Sequence, residues 1–179
     1  MGTASALGES AIAFFGPSSA RMERLGDWFG AEYGPLLRFA YFLTGDRAAA
    51  EDLVQEAFVR IYHAGPKIDE EGFRAYARRT LVNLNRSAFR RVVRERRWLS
   101  GRSEREATEA PDAGARDEVW RAILALPPRM RACVALRFYE DMTEQQIAST
   151  LDLSVGTVKK QVHRAMAKLR TSLGDGRES

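Results

Sequence analysis

The chain is poor in the residues that most chemistry needs. Of its 179 residues one is cysteine (Cys133) and two are histidine (His63, His163). One thiol builds neither a disulfide nor a cysteine-based metal site. Cys133 sits in the periodic run ACVALRFY, where it reads as a small buried hydrophobe. No His, Asp and Glu cluster has metal spacing, and neither a nucleophile elbow nor a glycine-rich phosphate loop is present. These absences argue against an enzyme and against a bound cofactor or metal. No apolar run approaches the length of a membrane span. The opening MGTASALGESAIAFFGPSS lacks a basic n-region, and Ala6 stands where a myristoylation motif requires Ser or Thr. The expectation is a cytoplasmic protein without a membrane partner.

What the chain does have is positive charge in one place. Between Arg74 and Arg102 there are ten arginines against Glu95 alone, a net of +9. The other 18 basic and 23 acidic residues leave the rest of the chain at −5. Positive charge gathered into one stripe addresses a polyanion. On charge alone RNA, duplex DNA and anionic membrane all qualify.

Hydrophobic periodicity divides the chain. Residues 1–22 read as a flexible leader, and a helical block spans 23–98. Within it Asp46 caps a helix with Leu53, Val54, Ala57, Phe58 and Ile61 inward, closed by Gly65-Pro66. A third helix runs from about Glu71 into the arginine stripe. At about 100° per residue, Phe73, Ala77, Leu81, Leu84 and Ala88 share one sector and are expected in the core. About a quarter-turn away lie Tyr76, Arg79, Asn83, Arg86, Ser87, Arg90, Arg94 and Arg97. That face carries an aromatic ring, an amide, a hydroxyl and a ladder of guanidinium groups, suited to stacking, base-edge bonding and phosphate neutralisation. Tyr76 fits a core-edge aromatic as well, and Asn83 a merely solvated position.

Residues 99–116, LSGRSEREATEAPDAGAR, have the composition of a flexible linker. Helices resume over 117–173, with Val119, Trp120, Ile123, Leu124 and Leu126 as the first buried set. Residues 174–179 form a tail. No strand alternation is visible, so the fold class is all-α, in two small helical domains joined by that linker. The C-terminal one holds a helix-turn-helix. Thr143 with Gln146 forms a capping box, Asp152 falls at the turn where a left-handed residue is wanted, and Ser154 caps the second helix. Val158, Val162, Ala165 and Leu169 face inward. Thr157, Lys159, Lys160, His163, Arg164, Lys168 and Arg170 face outward, with no acid between Lys159 and Arg170. Such a helix fits the major groove.

Three stretches together resemble the bacterial RNA polymerase sigma factors of the extracytoplasmic-function (ECF) group: DLVQEAF (52–58), GFRAYARRTLVNLNR (72–86) and residues 126–170. The resemblance implies a non-catalytic initiation factor. It would bind core RNA polymerase through the β′ clamp helices and the β subunit, and promoter DNA both duplex and melted. Asp52, Gln55, Glu56 and Phe58 match the polymerase-docking motif; Phe58 fits a core position equally well. Tyr76, Arg79, Asn83, Arg86, Ser87 and Arg90 match the helix that captures the melted minus-ten element. Tyr76 stands where many relatives carry Trp, and Ser87 where many carry Asp or Asn. Thr157, Lys159, Lys160, His163, Arg164 and Lys168 match the helix that reads the minus-thirty-five element; Lys160-Gln161 departs from the Ser-Arg common there. The linker acids Glu104, Glu106, Glu109 and Asp112 suit a nucleic-acid channel, or the segment is a plain tether. Many relatives are held inactive by an anti-sigma factor, and no residue here identifies one.

Overall fold

The computed structural model describes residues 19–64, 70–99 and 115–174. The expected leader up to residue 18, the Gly65-Pro66 break, linker residues 100–114 with their acids, and residues 175–179 lie outside the described residues. Among the described residues every regular element is helical. The order is α1 (Ser19–Thr44), α2 (Arg47–Ala64), α3 (Glu70–Leu99), α4 (Ala115–Leu124), α5 (Pro128–Val134), α6 (Glu144–Leu151) and α7 (Val155–Gly174).

Local chemistry sets the ends of these helices. α1 stops at Gly45, whose φ of +77° is a backbone conformation open to glycine at little cost. The Gly45 amide bonds back to the Tyr41 carbonyl at 2.8 Å. Asp46 then caps α2 through its carboxylate and the Ala49 amide, 2.8 Å apart. Pro127 and Pro128 start α5. α5 passes directly into a π-helical turn, Ala135–Tyr139, in which the Glu140 amide reaches the Ala135 carbonyl. Asp141, at φ 53°, ends it.

α1, α2 and α3 bury Phe39, Leu43, Val54, Ile61, Phe73 and Leu81 between them. The π turn buries Leu136, and the helix-turn-helix buries Ile147 and Val158. These two sets belong to one continuous apolar cluster, because α5 and α6 pack directly on α3. Trp120 of α4 adds to the seam by stacking on Tyr41 of α1 at 5.5 Å. A smaller cluster of Leu126, Val134, Ala165 and Leu169 ties α5 to α7.

Two core expectations are corrected. Ala88 is exposed, because α3 runs beyond Leu84, its last buried residue, past the helices that cover it. Val119 is 43 % exposed, because α4 meets α1 through Trp120 and not through the preceding residue. Conversely, Arg78, Val82 and Glu32 are buried without having been expected to be.

Candidate polymerase and nucleic-acid interfaces

On α2, Asp52, Gln55 and Glu56 are all exposed and share one face. Glu56 is held by Arg60 one turn on, Oε1 to Nε 2.6 Å, a solvent-exposed pair that a stronger cation could displace. Phe58 is half-buried, its ring centroid 4.1 Å from that of Phe29. Three of the four motif residues therefore form a polar surface, and the fourth packs inward.

Along α3 the expected nucleic-acid residues fall into different environments. Asn83, Ser87 and Arg90 are exposed. With Phe89, Val93 and Arg94, Ser87 and Arg90 line an open groove of about 680 Å³. Arg90 lies over Ser87, Nη2 to Oγ 3.4 Å. Tyr76 is half-buried and packs against the core cluster. Phe89, 47 % exposed, is the freer ring and was not singled out by sequence; its signal was an aromatic stranded inside an arginine run.

Arg79 and Arg86 sit at the edge of this face, against the C-terminal half of the molecule. Arg79 donates from Nε to the Thr150 carbonyl at 2.9 Å and from Nη2 to the Ser149 carbonyl at 2.8 Å. Both acceptors lie in the last turn of α6, where helix carbonyls lack intrahelical partners and the helix dipole is negative. The Arg86 Nε is buried without a hydrogen-bond partner among the described residues. Burial lowers the pKa of its guanidinium, and the charges of Arg129 and Arg90 push it the same way.

Beside Arg79 lies a buried ionic group. Arg78 donates from Nη2 and Nε to one oxygen of Glu140, at 2.7 and 3.1 Å, and its Nη1 lies 3.8 Å from Glu32. Glu32 also accepts from Arg74 at 2.8 Å.

The helix-turn-helix has the geometry its sequence requires. Thr143 and Gln146 make both reciprocal bonds of the capping box. Asp152 occupies the left-handed conformation, φ 55° and ψ 55°. The Ser154 hydroxyl accepts from the Thr157 amide at 3.2 Å, which starts α7. Lys159, Lys160, His163, Arg164 and Lys168 are exposed on α7, and Thr157 is half-exposed. Lys159 has an acid in reach, Glu144 at 3.6 Å. One face of α7 thus presents a row of cations at its N-terminal end and along its length, as groove reading demands.

Comparison with known proteins follows this geometry. The Sigma-70 region 2 family profile matches residues 28–95, and the Sigma-70 region 4 profile matches residues 116–169. The RNA polymerase sigma-E factor of Streptomyces avermitilis is 37% identical over 149 residues, spanning 77% of this chain and 78% of the relative. The ECF RNA polymerase sigma factor SigL of Mycobacterium tuberculosis is 34% identical over 154 residues, spanning 77% and 82%. In fold, the chain is similar to the sigma factor RpoE solved with the anti-sigma factor NepR from Bartonella quintana. That match has a TM-score of 0.67 at 20% identity and covers 85% of this chain and 98% of that one. CnrH, solved with the cytosolic domain of CnrY, gives a TM-score of 0.60 at 24% identity and covers 88% and 91%. With a region 2 that carries a basic, amide-bearing helix and a region 4 that carries a capped recognition helix, the chain belongs to the ECF group of RNA polymerase sigma factors, the initiation factors that bind core polymerase and direct it to promoters.

Proposed function

We propose that this factor also opens the promoter, and that α3 does so by capture. The observation that carries this reading is the exposed face of α3: Asn83 stands one helical turn before Ser87, which with Phe89 and Arg90 borders an open groove. An extruded base would sit in that groove, its edge bonded by Asn83 and its ring against Phe89, with Tyr76 at the core edge. Arg79, Arg86 and Arg90 would neutralise the strand backbone. Binding of this kind offsets the few kcal/mol that unstacking one base costs, so no nucleotide hydrolysis is needed. The protein acts without catalysing a reaction of its own, in the cytoplasm where polymerase and promoters are.

The same reading divides the chain into residues 23–98, which dock on polymerase and hold the minus-ten element, and residues 117–173, which read the minus-thirty-five element. Asp52, Gln55 and Glu56 meet the basic partner surface, and Phe58 stiffens α2 beneath them. Thr157, Lys159, Lys160, His163, Arg164 and Lys168 enter or flank the upstream major groove.

Two measurements test it. Glu56→Lys reverses one charge on an exposed face and is expected to weaken capture by core polymerase while DNA binding by α7 stays the same. Unaltered polymerase affinity at low and physiological salt would move the docking surface elsewhere. Asn83→Ala is expected to slow open-complex formation about tenfold, the loss of one good base contact of about 1.4 kcal/mol. A promoter already melted by mismatches should bind the variant less well, whereas initial binding to the duplex promoter is unchanged. Equal loss of initial binding on both templates, with opening unaffected, would take Asn83 out of base capture.

A further inference from the structure

The row of cations on α7 contains one exception. Lys160, His163, Arg164, Lys168 and Arg170 are exposed, and none has an acid within ion-pair distance among the described residues. Lys159, the first cation of the helix, does have one: its Nζ lies 3.6 Å from Oε2 of Glu144. The carboxylate belongs to the other helix of the helix-turn-helix, and local structure fixes its place. Glu144 is the first helical residue of α6, set directly after the Thr143 cap and inside the capping box that Thr143 makes with Gln146. An acid is favoured there by the positive end of the helix dipole. The left-handed Asp152 and the bond from the Leu153 amide to the Ala148 carbonyl then fold α7 back against α6, which brings Lys159 to Glu144.

The pair is built to be broken. Its separation is longer than the roughly 2.7–2.9 Å of a charge-assisted hydrogen bond, so the ammonium is attracted without being locked. The two side chains are 63 % and 38 % exposed, which leaves both within reach of an approaching phosphate. An exposed ion pair of this kind adds little to the stability of the fold. What it changes is the charge that α7 presents at the end that enters the groove, because a recognition helix leads with its N-terminal residues.

We propose that Glu144 is a positioning residue for DNA binding, one that holds the Lys159 ammonium in competition with the DNA backbone. The inference rests on the assignment of Lys159 to the DNA face of α7. In the free chain the carboxylate takes the ammonium. In the complex a phosphate oxygen takes it, and Glu144 returns to solvent without becoming a DNA contact itself. Parting the pair offsets some of what the phosphate contact contributes, and it does so on every sequence alike. Glu144 therefore sets the overall affinity of region 4 for duplex DNA and leaves its base preference to the residues farther along α7.

The test is a double-mutant cycle in the full chain: wild type, Glu144→Gln, Lys159→Gln and the two together. Fluorescence anisotropy reads binding to a mixed-sequence duplex over a range of salt concentrations, and circular dichroism confirms retained helix. Glu144→Gln is expected to bind about two- to fivefold more tightly at low salt. Its log–log salt slope should steepen by up to about one unit, which a merely structural role for Glu144 would not produce. In the Lys159→Gln chain the same change is expected to give a smaller gain, because the pair that it removes is already gone. Unchanged affinity and slope in Glu144→Gln would overturn the proposal. An equal gain with and without Lys159 would overturn it as well, since Glu144 would then simply repel DNA. Should Lys159→Gln weaken nothing in the Glu144→Gln chain, Lys159 does not meet DNA, and the proposal falls together with the reading of α7 beneath it.

Discussion

α3 and α7 are both basic helices, yet their cations live in different surroundings. On α7, Lys160, His163, Arg164 and Lys168 stand in solvent, and Lys159 has only a loose surface acid. On α3, Arg78 is buried among carboxylates, Arg79 is bonded to carbonyls, and the Arg86 Nε is buried without a partner among the described residues. The lesson is that charge count does not predict role. A cation in water is available to any phosphate, whereas a cation locked into structure must be released before it can act. The choice of side chain follows the same line. Arginine presents a planar fork able to satisfy several acceptors in a dry seam, and lysine is a solvated point charge on a flexible stem.

Substitutions that treat the two helices alike sharpen this contrast. The largest effect is expected from Arg78→Ala. It leaves Glu140 without its closest cation and Glu32 with Arg74 as its one ionic partner among the described residues, in a site where the Arg78 side chain is 8 % exposed. Breaking a buried ionic group costs about 3–5 kcal/mol, read as a drop in urea midpoint. Lys160→Ala, at an exposed position of α7, is expected to stay within about 0.5 kcal/mol of wild type. Equal stability losses would erase the distinction.

Within α7 a smaller contrast follows. Arg164→Ala is expected to cost about 1–3 kcal/mol at one upstream base pair and to relax preference there. Lys168, one turn farther along and exposed, is expected to meet phosphate where the helix leaves the groove. Its alanine variant should weaken all sequences alike and reduce the log–log salt slope by about one unit. Binding to a panel of single-base upstream variants at several salt concentrations separates the two. An even loss with the same slope change for both would make Arg164 a phosphate anchor.

What could be read from the sequence was what is decided locally. The capping box at Thr143, the left-handed Asp152, the Ser154 cap and the Asp46 cap each depend on residues within one turn, and all four are present. The exposed row on α7 followed from helical spacing, and the one on α2 was singled out by the family resemblance. The failures share one cause, contact between residues distant in sequence. Ala88 and Val119 had the right period but no covering element, and Arg78 and Val82 were covered by a unit about 60 to 80 residues away. The ionic link from Arg78 to Glu140 could not be read from spacing, because the π turn that places Glu140 carries no sequence mark of its own.

The lone thiol described as an absence of chemistry becomes a clock. Cys133 is fully buried in the cluster that joins the two halves, and burial pushes its thiol up to about 11. Only the thiolate reacts with an alkylating reagent, so at pH 8 modification has to wait for the core to open. The sign also fixes an alkaline limit. The unfolded thiol ionises near 9, ahead of the folded one, so stability is intact below about pH 9 and falls as pH rises toward 11. With no second cysteine to confuse the signal, the alkylation rate at pH 8 measures how often this core breathes. In Glu140→Arg, which sets a like charge against the buried Arg78, that rate is expected to rise.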